Sequence, residues 1–112
     1  MDSLHDFLLI PAGALLCNSI PHLAAGLRGE VFPTPFAKPR GKGPSSALVN
    51  FYWGAANLAW GLFILLRVLG RHAFLPFGPA YLGVGALLIG TYLARHFARA
   101  RQSPAGFIAR QN

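Results

Sequence analysis

The chain has 112 residues, 54% of them hydrophobic and only 12% charged, with a formal net charge of +7. Soluble domains carry about 25% charged residues, so this composition excludes an ordinary soluble fold with a fully polar surface, and the length allows one domain at most. The single cysteine, Cys17, excludes an intramolecular disulfide and reads as a small buried hydrophobe.

The charges are segregated. No Asp, Glu, Lys or Arg occurs from Phe7 to Leu27, from Gly43 to Leu66 or from His72 to Ala94. A run of about 20 residues crosses a hydrocarbon layer of about 30 Å at 1.5 Å per residue. Three such runs in so short a chain predict an all-α integral membrane bundle of three transmembrane helices. They fall at about 4–27, 46–69 and 73–95, joined by a basic, proline-rich loop over 28–45 and followed by a basic tail over 96–112. The whole chain reads as a single membrane domain.

At the N-terminus, MDSLHDF has two aspartates and no Lys or Arg. That is the reverse of a cleavable signal's basic start, so the first helix is expected to stay in the mature protein. Pro11 and Pro21 lie inside this helix and predict kinks. Pro11, Ala14, Asn18, His22 and Ala25 share one side of it. The loop VFPTPFAKPRGKGPSS contains Pro33, Pro35, Pro39 and Pro44, which forbid a long helix and favour extended backbone. Phe32 and Phe36 are poor residues for a solvated tether, because exposing each forfeits about 1.5–3 kcal/mol of burial. They predict a lid that folds back onto the helices.

Ser45 or Ser46 is the expected N-cap of the second helix. NFYWGAANLAWG repeats N-x-x-W-G at a spacing of seven. At 100° per residue, Asn50, Gly54, Asn57, Gly61 and Val68 fall within about 60° of one another, with Trp53 and Trp60 along one border. A stripe of amides and glycines inside a membrane means close backbone approach and interhelical hydrogen bonds. The two tryptophans either pack against partner helices or wall a cavity. RVLGRHAF predicts a tight turn around Gly70, and Pro76 and Pro79 belong to the first turn of the third helix. That helix offers one ridge of Gly83, Ala86, Gly90 and Ala94, and another of Gly78, Tyr81, Gly85 and Tyr92.

The cations set the orientation. Arg28, Lys38, Arg40 and Lys42 in the loop and Arg95, Arg99, Arg101 and Arg110 in the tail share one face of a three-span topology. Only Arg67 and Arg71 lie on the other. The positive-inside rule then puts the N-terminus outside and the C-terminus in the cytoplasm. Basic residues beside a membrane attract anionic lipid at roughly 1 kcal/mol each, and Lys38, Arg40, Lys42, Arg95 and Arg99 are the expected headgroup contacts. Topology and lipid account for the charge without nucleic acid. Asn18, His22, Asn50, Thr91 and Tyr92 all fall in the half nearest the loop, with Asn57 near the middle. They form either a polar vestibule under the loop or bundle glue at roughly 0.6 kcal/mol per bond.

Catalytic constellations are not apparent. The three acids, Asp2, Asp6 and Glu30, sit at or beyond helix ends. Cys17 and His22 lie about 140° apart around the helix, poor spacing for a shared metal. His5 and His72 are a weak metal signal, and His22 is the titratable group with depth. Neither a metal nor a cofactor is expected.

NSIPH (Asn18 to His22), FPTPFAKP (Phe32 to Pro39), Ser45–Ser46 and NFYWG (Asn50 to Gly54) occur in the order seen in a group of small, functionally uncharacterised bacterial inner-membrane proteins, which the chain resembles over about residues 18–61. The resemblance implies a multi-pass protein of the bacterial inner membrane and implies no activity. Three classes of function stay open. The first is a binding or structural protein that packs against partner membrane subunits or itself and grips anionic lipid. The second is a homo-oligomeric small transporter or channel lined by the Asn/His/Trp stripe. The third is a membrane enzyme on a lipid or isoprenoid substrate, with His22 and the asparagines at its site.

Overall fold

Proline placement sets where the first helix begins. In the computed structural model, which describes residues 6–71, 78–102 and 104, residues 6 and 7 are helical, Leu8 is a turn, and helix α1 runs Leu9–Leu27. Pro11 therefore lies in the first turn and not inside the helix as expected. It has no N–H for the Phe7 carbonyl, and its ring crowds that oxygen. The ladder starts at Ala12, whose N–H donates to the Leu8 carbonyl at 3.2 Å. Pro21 stays inside the helix. The C-terminus closes on Gly29 at φ +71. Its N–H reaches the Gly26 carbonyl at 3.1 Å, and the Glu30 N–H reaches Ala25 at 2.9 Å. This double bond pattern needs a left-handed residue after the cap, which glycine adopts without a Cβ penalty.

Helix α2 runs Ala47–Arg71. Ser46 caps it, its Oγ accepting the Val49 N–H at 3.1 Å. The turn expected around Gly70 does not form there, since Gly70 is helical. An isolated glycine costs a helix about 1 kcal/mol but does not end it. Helix α3 runs Gly78–Gln102, later at both ends than expected. Pro79 sits in its first turn, where an N–H is not needed. RHFARARQ continues as helix because Arg, Ala and Gln are good helix formers and cations suit a helix C-terminus. The first part of the basic tail, to Gln102, is thus helical. Asp2, Leu4, His5, His72, Pro76 and Arg110 lie outside the described residues.

The protein is all-α with these three helices, and α1 and α2 are each long and apolar enough to span a membrane. α1 is central. It packs against both α2 and α3, which form no comparable interface with each other. Small residues set the register. A Cβ at Gly26 would lie 2.6 Å from Phe51 N, one at Gly54 2.8 Å from Leu23 N, and one at Gly61 2.9 Å from Leu16 Cγ. α1 and α2 are therefore antiparallel. Phe7 meets Tyr81, Cys17 meets Gly90 and His22 meets Phe97, so α1 and α3 run parallel.

Asn50, Gly54, Asn57, Gly61 and Val68 form the buried face of α2. On α3, Gly78 and Gly85 are buried while Ala94 is exposed, so the tyrosine-bearing ridge packs inward near the start of the helix. Of the five residues grouped on one side of α1, Pro11 is exposed and His22 and Ala25 are buried.

Candidate functional site: a lidded cavity between the helices

The loop over residues 28–46 is folded. Phe32 and Ser45 face each other as an isolated antiparallel bridge, each N–H donating to the other's carbonyl at 3.1 Å. Thr34 is buried between them, with its Oγ1 2.7 Å from Ser45 Oγ. The Thr34 carbonyl accepts the N–H groups of Ala37 and Gly41, both at 3.0 Å. Gly41 has φ +71, and a Cβ there would stand 3.2 Å from His96 Nε2. Conformation and space both call for glycine.

Two bridges tie this loop to the helices. Asn50, fully buried on α2, donates through Nδ2 to the Phe32 carbonyl at 2.8 Å, to Ser46 at 3.0 Å and to Ser45 at 3.2 Å. Its Oδ1 accepts His22 Nδ1–H from α1 at 2.8 Å. The other imidazole nitrogen of His22 is thereby left as an acceptor. On the far side, His96 Nε2–H of α3 donates to the Gly41 carbonyl at 2.6 Å. The aromatic rings follow. Phe32 packs on Phe97 (centroids 4.5 Å apart) and His22 (5.6 Å), and Phe36 stands edge-on to Trp53 at 5.1 Å while remaining 65% exposed.

Beneath this loop lies a cavity of about 440 Å³. α1 contributes Ala14, Asn18 and His22 to its lining, α2 Trp53 and Asn57, and α3 Ile89, Tyr92, His96 and Phe97. Pro33, Thr34, Arg40 and Gly41 line it from the loop. Asn18 Nδ2 donates to Asn57 Oδ1 at 2.9 Å, and Asn57 Nδ2 to the Trp53 carbonyl at 2.8 Å. The asparagines are therefore mutual glue and cavity wall together. Trp53 Nε1 is the one fully buried side-chain nitrogen or oxygen among the described residues that has no hydrogen-bond partner. Next to the cavity, and sharing Tyr92 and His96 with it, is a groove of about 600 Å³ lined by Lys42, Leu88, Thr91, Arg95 and Arg99.

The structure thus gathers Asn18, His22, Trp53, Asn57 and Tyr92 at one cavity, with Asn50 behind it holding the lid. Trp60 stands apart. It is 58% exposed, stacks on Phe63 and lines neither recess. Seven residues from Trp53, it sits about 10 Å further along the axis at 1.5 Å per residue, beyond the reach of the loop. Of the loop cations, Arg40 lines the cavity, Lys42 the groove, and Lys38 neither. Thr34, Gly41, His96 and Phe97 were not among the expected site residues. His96 follows Tyr92 at a helical spacing of four, with Phe97 beside it, a signal hidden by ending the third helix at residue 95.

Chemically, the site can take up an apolar body and offer it one imidazole acceptor and the Asn18–Asn57 pair. Among the described residues, no group of three or more His, Cys, Asp or Glu side chains is placed to hold a metal ion. Compared with protein-family models, curated proteins and solved structures, the chain matches none.

Proposed function

We propose that the chain is a three-span protein of the bacterial inner membrane, N-terminus outside and C-terminus cytoplasmic. Its role is to bind an apolar or amphipathic molecule in the lidded cavity at its cytoplasmic face. The observation that carries the reading is the cavity itself. Its volume falls in the range of about 300–1,000 Å³ typical of ligand sites, and it is mostly apolar with a few convergent polar groups. Trp53, Tyr92 and Phe97 supply aromatic wall, and His22 and the Asn18–Asn57 pair supply the polar groups.

The membrane setting is supported by what the fold leaves uncovered. Only 33% of the apolar stretch of α1 and 22% of that of α2 is buried within the protein, whereas a soluble core helix would be mostly covered. α3 follows suit with Leu87 at 73% and Leu88 at 65% exposed. Its uncharged part, Gly78 to Ala94, spans about 25 Å at 1.5 Å per residue, and Arg95 and Arg99 can extend to headgroups from there. The bacterial location rests on the resemblance described above.

Gly54 and Gly61 press against Leu23 and Leu16 of the same chain, which removes them as a surface for partner subunits. The Asn/His stripe likewise faces α1, so a channel formed by oligomerising around it has no stripe to use. Native mass spectrometry of the full chain in mild detergent tests the binding role. A single co-purifying amphiphile is expected, lost in Ala14→Phe, which fills the cavity. The same bound species in folded Ala14→Phe would refute the cavity as the site.

A further inference from the structure

We propose that the ligand is a phosphate-headed amphiphile with one chain in the site: the phosphate sits in the Lys42–Arg95–Arg99 groove and the chain enters the lidded cavity past Tyr92 and His96. This rests on the cavity being a ligand site, and it adds the class of ligand.

Continuity is the first ground. Cavity and groove are separate recesses with shared walls, Tyr92 and His96. The two rings stack nearly parallel, with centroids 5.7 Å apart and planes 9° apart. His96 is held by the Gly41 carbonyl at 2.6 Å, which fixes this wall to the lid. A molecule with a polar end and an apolar end can place one on each side of the stacked pair.

Charge and donors are the second ground. Arg95 and Arg99 are four residues apart on α3, so they share a face and repel one another. Lys42 joins them from the loop, Thr91 and Tyr92 add hydroxyl groups, and among the described residues no carboxylate lines the groove. Three cations with no acid among them call for an anion. A phosphate monoester offers three acceptor oxygens and between one and two negative charges, and arginine engages it bidentately. A carboxylate, with one charge and two oxygens, would leave part of this set unmatched.

Volume is the third ground. A cavity of about 440 Å³ lies within the range of about 300–1,000 Å³ of sites for small ligands. That is room for one alkyl chain of moderate length.

The test uses the full-length Trp60→Phe protein, in which Trp53 is the remaining one of the two tryptophans and reports on the cavity. In phosphatidylcholine nanodiscs, dodecyl phosphate should shift Trp53 emission saturably, at a concentration about tenfold or more below that needed for 1-dodecanol. Inorganic phosphate alone should not shift it. Lys42→Gln, and separately Arg95→Gln with Arg99→Gln, should erase the phosphate advantage while dodecanol binding persists. Arg67→Gln, on the opposite end, should change nothing.

Equal binding of dodecyl phosphate and dodecanol would overturn the headgroup assignment and leave the cavity reading intact. Failure of both probes would overturn the cavity reading and this inference with it. A response to inorganic phosphate matching that of dodecyl phosphate would mean a free-anion site and refute the amphiphile. Loss of the phosphate advantage when phosphatidylglycerol is included would assign the groove to bulk anionic lipid, which also refutes it.

Discussion

Replacing Asn50 by alanine should open the lid while leaving the helices in place. Asn50 makes four side-chain contacts: His22 Nδ1 at 2.8 Å and the carbonyls of Phe32, Ser46 and Ser45 at 2.8, 3.0 and 3.2 Å. Their losses are unequal. The Phe32 carbonyl keeps the Ser45 N–H, and the Ser46 carbonyl keeps the helical N–H of residue 50. His22 Nδ1 has no second acceptor to turn to. Leaving that buried donor unpaired costs about 1–3 kcal/mol, and opening the loop relieves it, because Phe32 packs over the His22 ring and its departure lets water in. If cleavage follows the population of the open loop, this corresponds to about a 5- to 150-fold faster cut.

The assay is limited trypsin digestion of the detergent-solubilised chain, with fragments assigned by mass. The sites to follow are Arg40 and Lys42, since Lys38 precedes a proline and is a poor trypsin site. In the unmodified protein these cuts should be slow. In Asn50→Ala they should accelerate by the factor above, with helix content by circular dichroism unchanged. Asn57→Ala removes bonds to Asn18 and the Trp53 carbonyl only, and should leave the loop sites protected. Acceleration below twofold in Asn50→Ala would mean that Asn50 does not hold the lid, and the reasoning would be wrong.

Gly54→Leu and Gly61→Leu should each lower the melting temperature in detergent, at a cost of about 1–3 kcal/mol or more from overpacking. The clash at Gly54 is with the Leu23 backbone, which cannot rotate away, whereas Leu62→Ala, at a 40% exposed position, should be mild. Gly41→Ala should weaken the lid by about 1–2 kcal/mol from its left-handed backbone alone, read as faster tryptic cutting at Arg40; unchanged protection would mean the Gly41–His96 contact is dispensable. A reporter fused after Asn112 should be cytoplasmic and one inserted within 72–77 external; both on one side would rule out three spans.

The inner face of α2 was legible because one rule governed it. Amides and glycines at 100° spacing had only one direction to face, and Asn50, Gly54, Asn57, Gly61 and Val68 are buried together. An N-cap at Ser45 or Ser46 was legible for the same local reason, and Ser46 takes it. What failed depended on competition between signals. Pro11 reads as a kink from the hydropathy run around it, yet its missing N–H places it in the first turn, before the helical ladder starts. Residues 95–102 read as a tail because of their charge, although their intrinsic preference is helical, so His96 and Phe97 went unnoticed. No periodicity could have paired Thr34 with Ser45 or Gly41 with His96, because those contacts depend on how the loop turns back.

The proline content of the loop can now be understood as a hydrogen-bond device. Irregular backbone laid against apolar helices must satisfy its own donors, because neither the helices nor lipid chains offer acceptors. Each of Pro33, Pro35, Pro39 and Pro44 removes one donor outright. Many of the rest are bonded within the loop: Phe32 and Ser45 to each other, Ala37 and Gly41 to Thr34, Lys42 and Gly43 to Pro39, and Phe36 to the Thr34 hydroxyl. A loop of the same length with serine or glycine at those four positions would carry four more N–H groups to satisfy away from water. The prolines also restrict the free loop beforehand, so less entropy is lost on docking. Composition that looks like a flexible linker is therefore what lets this segment lie over the cavity, with Arg40 on its rim and Lys42 turned to the neighbouring groove.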